Sequence, residues 1–143
     1  MNLVLKAEII NTFDEFIETL SSFANDKMNH IPFAESWTAG QVAEHIIKSV
    51  SKLPKMLYEN TETTVGQFDP KVTSIRAMFL DYDSKMTSPI SIIPSGKSLV
   101  KVELLNSIVS LKSQMVEAAD TLDLTMTCKS FEFPRFGFLT RLE

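Results

Sequence analysis

The beginning of one helix is the element that the sequence defines most sharply. The segment Thr38-Ala39-Gly40-Gln41 matches a capping box, in which a threonine hydroxyl and a glutamine side chain accept each other's backbone N–H groups. Trp37 precedes the cap and Val42 lies at the fourth helical position, a pair that can form a hydrophobic staple. We therefore expect a helix that begins directly after Thr38.

This helix carries apolar residues at helical spacing, which predicts one buried face. The predicted stripe consists of Val42, Ile46, Val50, Leu53 and Leu57. Pro54 lies inside it, and proline lacks the N–H group that a helix interior requires. We therefore expect the helix to be kinked or interrupted near Pro54.

Further helices are predicted on both sides. A second capping box at Thr12–Glu15 precedes apolar residues at helical spacing. The predicted spans are residues 12–28, residues 71–86, and a helix that begins between Ser98 and Glu103 and ends near Leu122. Residues 124–128 alternate apolar and polar side chains, as in an extended segment. The sequence thus predicts an all-α fold.

Size and charge restrict the functional classes. The 143 residues fit one domain, spanning residues 1–143. The net charge of −4 offers no electrostatic basis for binding nucleic acid or an anionic membrane, so neither partner is expected. No segment approaches the roughly 20 apolar residues of a membrane span. The single cysteine cannot form an internal disulfide, which favours a reducing, cytoplasmic location.

A third capping box lies at Thr140-Arg141-Leu142-Glu143, with no helix behind it. One helical turn does not stabilise itself, because nucleation is costly. We therefore expect a further helix after Glu143, and an apolar groove where that helix is missing. Such a groove would have to be covered by a partner or by a second copy of the chain.

His45 is the main candidate for chemistry. On a helical projection it lies at the edge of the predicted core stripe, together with Gln41 and Ser49. The small Ser49 one turn away leaves space for a pocket beside the imidazole, whereas Lys52 on the same edge favours water. Two interpretations remain open: a metal ligand facing a pocket, or a half-buried histidine with one hydrogen-bond partner. One histidine cannot form a catalytic metal site, which usually has three protein ligands.

Two other reactive side chains have simpler interpretations. His30 lies in a connector beside Pro32, where a surface or loop-packing role is favoured. Cys128 has no histidine close in sequence, and we expect it to be a small buried residue rather than a nucleophile.

Three segments, taken in order, resemble the DinB/YfiT-like superfamily of metalloenzymes. They are Trp37 through His45, the apolar pattern of residues 72–86 followed by Ser88-Pro89, and the segment 134–143. The resemblance covers nearly the whole chain. It implies a four-helix bundle of the up-down-down-up type with a long crossover, whose fourth helix is truncated or missing after Glu143.

The resemblance also implies a divalent metal (nickel, zinc or iron) held by three histidines. The first matches His45, with Trp37, Gln41 and Ser49 lining the pocket. The other two belong to a His-x-x-x-His pair on the last helix, for which this chain has no match, so we expect incomplete binding by this chain. The implied activity is that of a thiol S-transferase or a hydrolase-like enzyme. A small-molecule thiol or other substrate and a homodimer are the implied partners.

Two alternatives stay open beside the metalloenzyme. One is a non-catalytic bundle that acts through dimerisation. The other is a protein that binds a small molecule beside His45 without chemistry. Stoichiometric metal that depends on His45 would separate the enzyme from both.

Overall fold

The computed structural model describes residues 2–143 and is mostly helical, as the sequence predicts. Its α-helices are α1 (Asn2–Ser22), α2 (Ala39–Val50), α3 (Leu53–Tyr58), α4 (Val72–Phe79) and α5 (Lys101–Thr121). Two short strands, β1 (Thr61–Glu62) and β2 (Thr127–Cys128), pair antiparallel with Thr61 opposite Cys128. Single 3-10 turns lie at Asn25–Lys27 and Ile90–Ile92.

Helix α5 is the centre of the packing, because α1, α2 and α3 all contact it. One cluster of buried core residues consists of Leu20, Met28, Ala43, Leu104 and Ile108. Met28 and Ile108 are each only 1% exposed. This cluster therefore joins the first two helices to the N-terminal half of α5, and further buried residues follow along α5 at Leu111, Ala118 and Ala119.

The predicted start of α2 is confirmed in detail. The backbone N–H of Gln41 donates to Thr38 Oγ1 at 3.1 Å, and the N–H of Thr38 donates to Gln41 Oε1 at 2.9 Å. The interruption at Pro54 is also confirmed, since α2 ends at Val50 and Pro54 lies in the first turn of α3. In the first turn of a helix the backbone N–H groups have no helical partner, so proline loses no hydrogen bond there.

The buried face of α2 differs from the predicted stripe. Val42 is 42% exposed, whereas Gly40 and Ala43 are buried and Ile47 packs on the core. Two small residues let α2 approach its neighbours closely. The face of α2 that packs on the core is therefore centred one residue later in the sequence than the predicted stripe.

The first helix was predicted wrongly at both ends. It begins at Asn2 rather than Thr12, so Thr12 lies inside the helix and cannot cap it. The apolar face continues back through Ile9 to Leu5, which border the C-terminal half of α5. The helix ends at Ser22, and the chain passes through a 3-10 turn before Met28 is buried.

The helix predicted over residues 71–86 is also shorter than expected. It ends at Phe79, and Tyr82, predicted to face the core, is 87% exposed. Asp81 explains the stop, because its Oδ1 accepts the backbone N–H groups of Asp83 and Ser84, both at 3.1 Å. A short acidic side chain that bonds nearby backbone in this way competes with helical hydrogen bonding.

The fifth helix matches its predicted limits, beginning at Lys101 and ending at Thr121. Among residues 2–143, no helix has both the length and the apolar character needed to cross a membrane.

Candidate functional site

His45 lies on α2, half-buried beneath the segment that follows Pro89. Its Nδ1 is 2.8 Å from the carbonyl oxygen of Ile92. Because a carbonyl oxygen can only accept, Nδ1 donates in this contact, and in a neutral ring Nε2 then holds the lone pair. Within residues 2–143, Nε2 makes no hydrogen bond of its own. The free nitrogen of the neutral ring is therefore the one able to bind a ligand or metal.

Trp37 packs against the imidazole in a tilted arrangement. The two ring centroids are 5.0 Å apart and the planes are inclined by 51°. The capping box determines how the chain enters α2, and so it brings Trp37 over His45 two turns later. Trp37 remains 38% exposed, which places this aromatic pair at the protein surface.

The two other predicted pocket residues are engaged in local hydrogen bonds. Gln41 uses its side-chain oxygen in the cap, accepting from Thr38. Ser49 is exposed and donates its hydroxyl to the backbone oxygen of His45 at 2.8 Å. Both lie near His45 along the helix, and a pocket lined by them remains a prediction.

Two charged residues beside His45 were not singled out from the sequence. Glu44 Oε2 accepts the backbone N–H of Ser95 at 2.7 Å and its hydroxyl at 3.0 Å. Lys48 Nζ donates to the carbonyl of Ile93 at 2.9 Å and lies 3.2 Å from Glu44 Oε1. We call these two side chains the Glu44–Lys48 clasp. The i, i+4 spacing of the two charges was the available signal.

The electrostatics of Glu44 reflect this clasp. Burial by itself would raise its pKa, but the hydrogen bonds from Ser95 and Lys48 outweigh that effect, and the pKa is lowered from its ordinary value. Glu44 is therefore ionised when its hydrogen-bond donors are in place.

The metal-ligand chemistry around His45 is limited to the one imidazole. Among residues 2–143, no three His, Cys, Asp or Glu side chains lie close enough to hold a metal ion together. His30 is exposed, in the connector where the sequence places it. Cys128 is 8% exposed, as expected for a packed thiol. Burial raises its pKa and the charge of Arg141 offsets part of the rise, so the thiol is held neutral.

A separate apolar groove runs along the C-terminal half of α5. We call it the α5 groove; its volume is about 350 Å³. Its lining includes Ile9 of α1, Leu57 of α3, Ile75 of α4, Met115 of α5 and Leu139 of the C-terminal segment. His45 is not part of this lining.

The third capping box lies at the edge of this groove and is formed. Glu143 Oε2 accepts the N–H of Thr140 at 3.0 Å, and Thr140 Oγ1 receives the N–H of Glu143 at 3.3 Å. The second carboxylate oxygen of Glu143 accepts the N–H of Lys71 at 2.8 Å. Arg141 donates to the carbonyl of Leu57 at 2.7 Å. The cap is therefore anchored on α3 and on the start of α4.

Comparisons of the chain with protein families, curated proteins and solved structures find no match.

Proposed function

We propose that this protein is a metal-dependent enzyme of the DinB/YfiT-like type, a thiol S-transferase or hydrolase-like enzyme, in which His45 provides one metal ligand. The observation that carries the proposal is the contact between His45 Nδ1 and the Ile92 carbonyl, 2.8 Å long. Metal-binding histidines commonly donate their second ring N–H to a carbonyl or carboxylate, which orients the ring and selects the tautomer.

Trp37 supports the same role. The centroid of its ring lies 5.0 Å from that of the imidazole. The His45 side chain is therefore restrained both by its hydrogen bond to Ile92 and by the neighbouring aromatic ring. A ligand held in one orientation before metal arrives loses less conformational entropy on binding. These two contacts restrain the His45 side chain before any ligand binds.

His45 fits the role of one imidazole ligand to nickel, zinc or iron, but residues 2–143 hold no complete donor set. Under the proposal, the remaining ligands come from outside these residues. When bound, a divalent metal lowers the pKa of a coordinated thiol or water and holds it for attack. The chain's own residues hold a proton on Nδ1 toward the Ile92 carbonyl and pack the Trp37 ring against the imidazole.

The finer architecture belongs to the same proposal. It is a four-helix bundle of the up-down-down-up type, with a fourth helix that begins after the Thr140 cap. Two features support it: both hydrogen bonds of the cap are present, and the apolar α5 groove lies directly beside it. A helix starting at this cap would cover the groove with its apolar face.

The test is the metal content of the protein expressed from its own gene, measured by inductively coupled plasma mass spectrometry after growth with nickel, zinc and iron. We expect one divalent metal per chain in the wild type and its loss in His45→Ala. The matched control is His30→Ala, which removes an exposed histidine and should retain the metal. Circular dichroism establishes that each variant is folded.

Either of two results would reject the metalloenzyme. One is metal retained at full stoichiometry in His45→Ala. The other is the absence of metal from the wild-type protein under all three growth conditions.

A second candidate is favoured by the α5 groove: a non-catalytic bundle that associates with a second copy. Phe79 lines the groove and is 53% exposed, and Val109 on α5 lies outside it at 49% exposure. If copies associate through the groove, Phe79→Ser should weaken the dimer measured by light scattering, and Val109→Ser should not. A monodisperse wild-type monomer would rule this candidate out.

A further inference from the structure

The segment that supplies the hydrogen-bond acceptor to His45 is held on α2 by more than that one contact. The Ile90–Ile92 turn packs on α2, and the residues after it follow the same helix face. Three side chains of α2 reach this segment: Glu44 contacts Ser95, His45 contacts Ile92, and Lys48 contacts Ile93.

The Glu44–Lys48 clasp binds the backbone beside the Ile92 carbonyl, which accepts the hydrogen bond from His45. Lys48 Nζ donates to the Ile93 carbonyl at 2.9 Å, one peptide after Ile92. Glu44 accepts the backbone N–H of Ser95 at 2.7 Å, two residues further on. The two charges also pair with each other at 3.2 Å. Hydrogen bonds to charged groups are stronger than neutral ones, so these contacts hold the segment more firmly than the His45 bond does.

We propose that the Glu44–Lys48 clasp is a positioning device for His45: it holds the Ile92 carbonyl against Nδ1 and thereby keeps Nε2 as the free, ligand-binding nitrogen. Glu44 and Lys48 are positioning residues in this arrangement, since neither contacts the imidazole in the hydrogen bonds described. The inference depends on the proposed function for one point only, namely that the ligand of Nε2 is a metal. The tautomer itself is a property of the metal-free protein.

The tautomer can be measured directly by two-dimensional ¹H–¹⁵N NMR of the histidine rings in metal-free protein, at a pH where both imidazoles are neutral. The chain has two histidines, so His30 is an internal reference. His30 is exposed and should show the Nε2–H form that free histidine favours in water. His45 should show the Nδ1–H form instead. A wild-type His45 that is mainly Nε2–H would overturn the inference without any variant.

The clasp itself is tested by Glu44→Ala and Lys48→Met. Each should reduce the ratio of Nδ1–H to Nε2–H forms at His45 by about threefold to tenfold, the effect of losing roughly one net hydrogen bond. Lys48→Arg keeps a donor for the Ile93 carbonyl and should restore most of the ratio. A role limited to stability would lower the unfolding midpoint and leave the tautomer of the folded protein unchanged.

A matched control pair lies at the end of α3, where Lys55 is in the helix and Glu59 caps it. Lys55 and Glu59 form an i, i+4 ion pair at 3.9 Å, with side chains 77% and 57% exposed. Glu59→Ala and Lys55→Met should leave the His45 tautomer as in the wild type. If the clasp variants match these controls, the positioning role is wrong, whatever the metal analysis shows. If the tautomer behaves as expected but His45→Ala retains metal, the metalloenzyme is wrong and the positioning role stands.

Discussion

Replacing Gly40 with alanine tests how closely the start of α2 packs against the chain around it. Gly40 is the second residue of α2 and is buried. A Cβ atom added there would lie 2.9 Å from the backbone oxygen of Met28, and 3.2 Å from both Cβ and Cδ1 of Leu99. The Met28 oxygen cannot move freely, because it accepts the N–H of Gly40 at 2.9 Å.

The sign of the effect depends on two opposing contributions. Helix propensity alone favours alanine over glycine by up to about 1 kcal/mol. Forcing an extra carbon into a packed site typically costs about 1–3 kcal/mol, and relieving the clash would lengthen a backbone hydrogen bond worth roughly 0.5–1.5 kcal/mol. We therefore expect Gly40→Ala to lower the free energy of unfolding by about 1–2 kcal/mol, against the propensity trend.

The assay is urea unfolding followed by circular dichroism, with the midpoint and slope compared between variants. Gly96→Ala is the matched control, because a Cβ at Gly96 meets no atom within 4 Å. There alanine should leave the stability unchanged or raise it by up to about 1 kcal/mol, since it restricts the unfolded chain. If Gly40→Ala is as stable as the wild type, or if both variants shift alike, the close approach inferred for α2 is wrong.

Three further predictions concern the cap, the core and the thiol. Thr38→Ala removes the acceptor for the Gln41 N–H and should lower the free energy of unfolding, measured in urea, by about 1 kcal/mol. An unchanged unfolding midpoint would contradict the capping role. Ile108→Ala leaves a cavity at a side chain 1% exposed and should cost about 2–5 kcal/mol, whereas Val109→Ala, 49% exposed, should change stability by under about 0.5 kcal/mol. Equal losses would contradict the assigned core. Because burial raises the pKa of Cys128, iodoacetamide should alkylate it more slowly in the folded protein than in urea, as followed by mass spectrometry; equal rates would refute its burial. Its contribution to stability should be fully present below the pKa of the unfolded thiol and lost as the pH rises through the folded pKa.

The features that the sequence alone determined are those decided within one helical turn. The Thr38–Gln41 cap and the interruption at Pro54 both occur where the residues indicate. The reason is physical: a capping hydrogen bond or a missing N–H depends on residues three or four positions apart, whose geometry the helix itself supplies. The hydrogen bonds of the Thr140–Glu143 box likewise join residues three positions apart, although residues 140–143 are not helical in the structure.

The wrong helix limits show where this local reasoning ends. Thr12 has the residues of a cap, yet Leu5 and Ile9 border α5 and the helix continues through it. After Phe79, apolar spacing predicts more helix, but the Asp81 carboxylate bonds nearby backbone N–H groups instead. Periodicity records which residues could share a face, and it does not show which competing contact is stronger.

Only the tertiary structure decided the environment of the candidate site. The sequence selected His45, but the carbonyl that its Nδ1 contacts belongs to Ile92, 47 residues later. The partners of Glu44 and Lys48 lie 51 and 45 residues further along the chain. Such contacts depend on the path of the loop between α4 and α5, which no local pattern encodes. Local chemistry could therefore identify the imidazole, whereas long-range packing decided which of its nitrogens meets the Ile92 carbonyl.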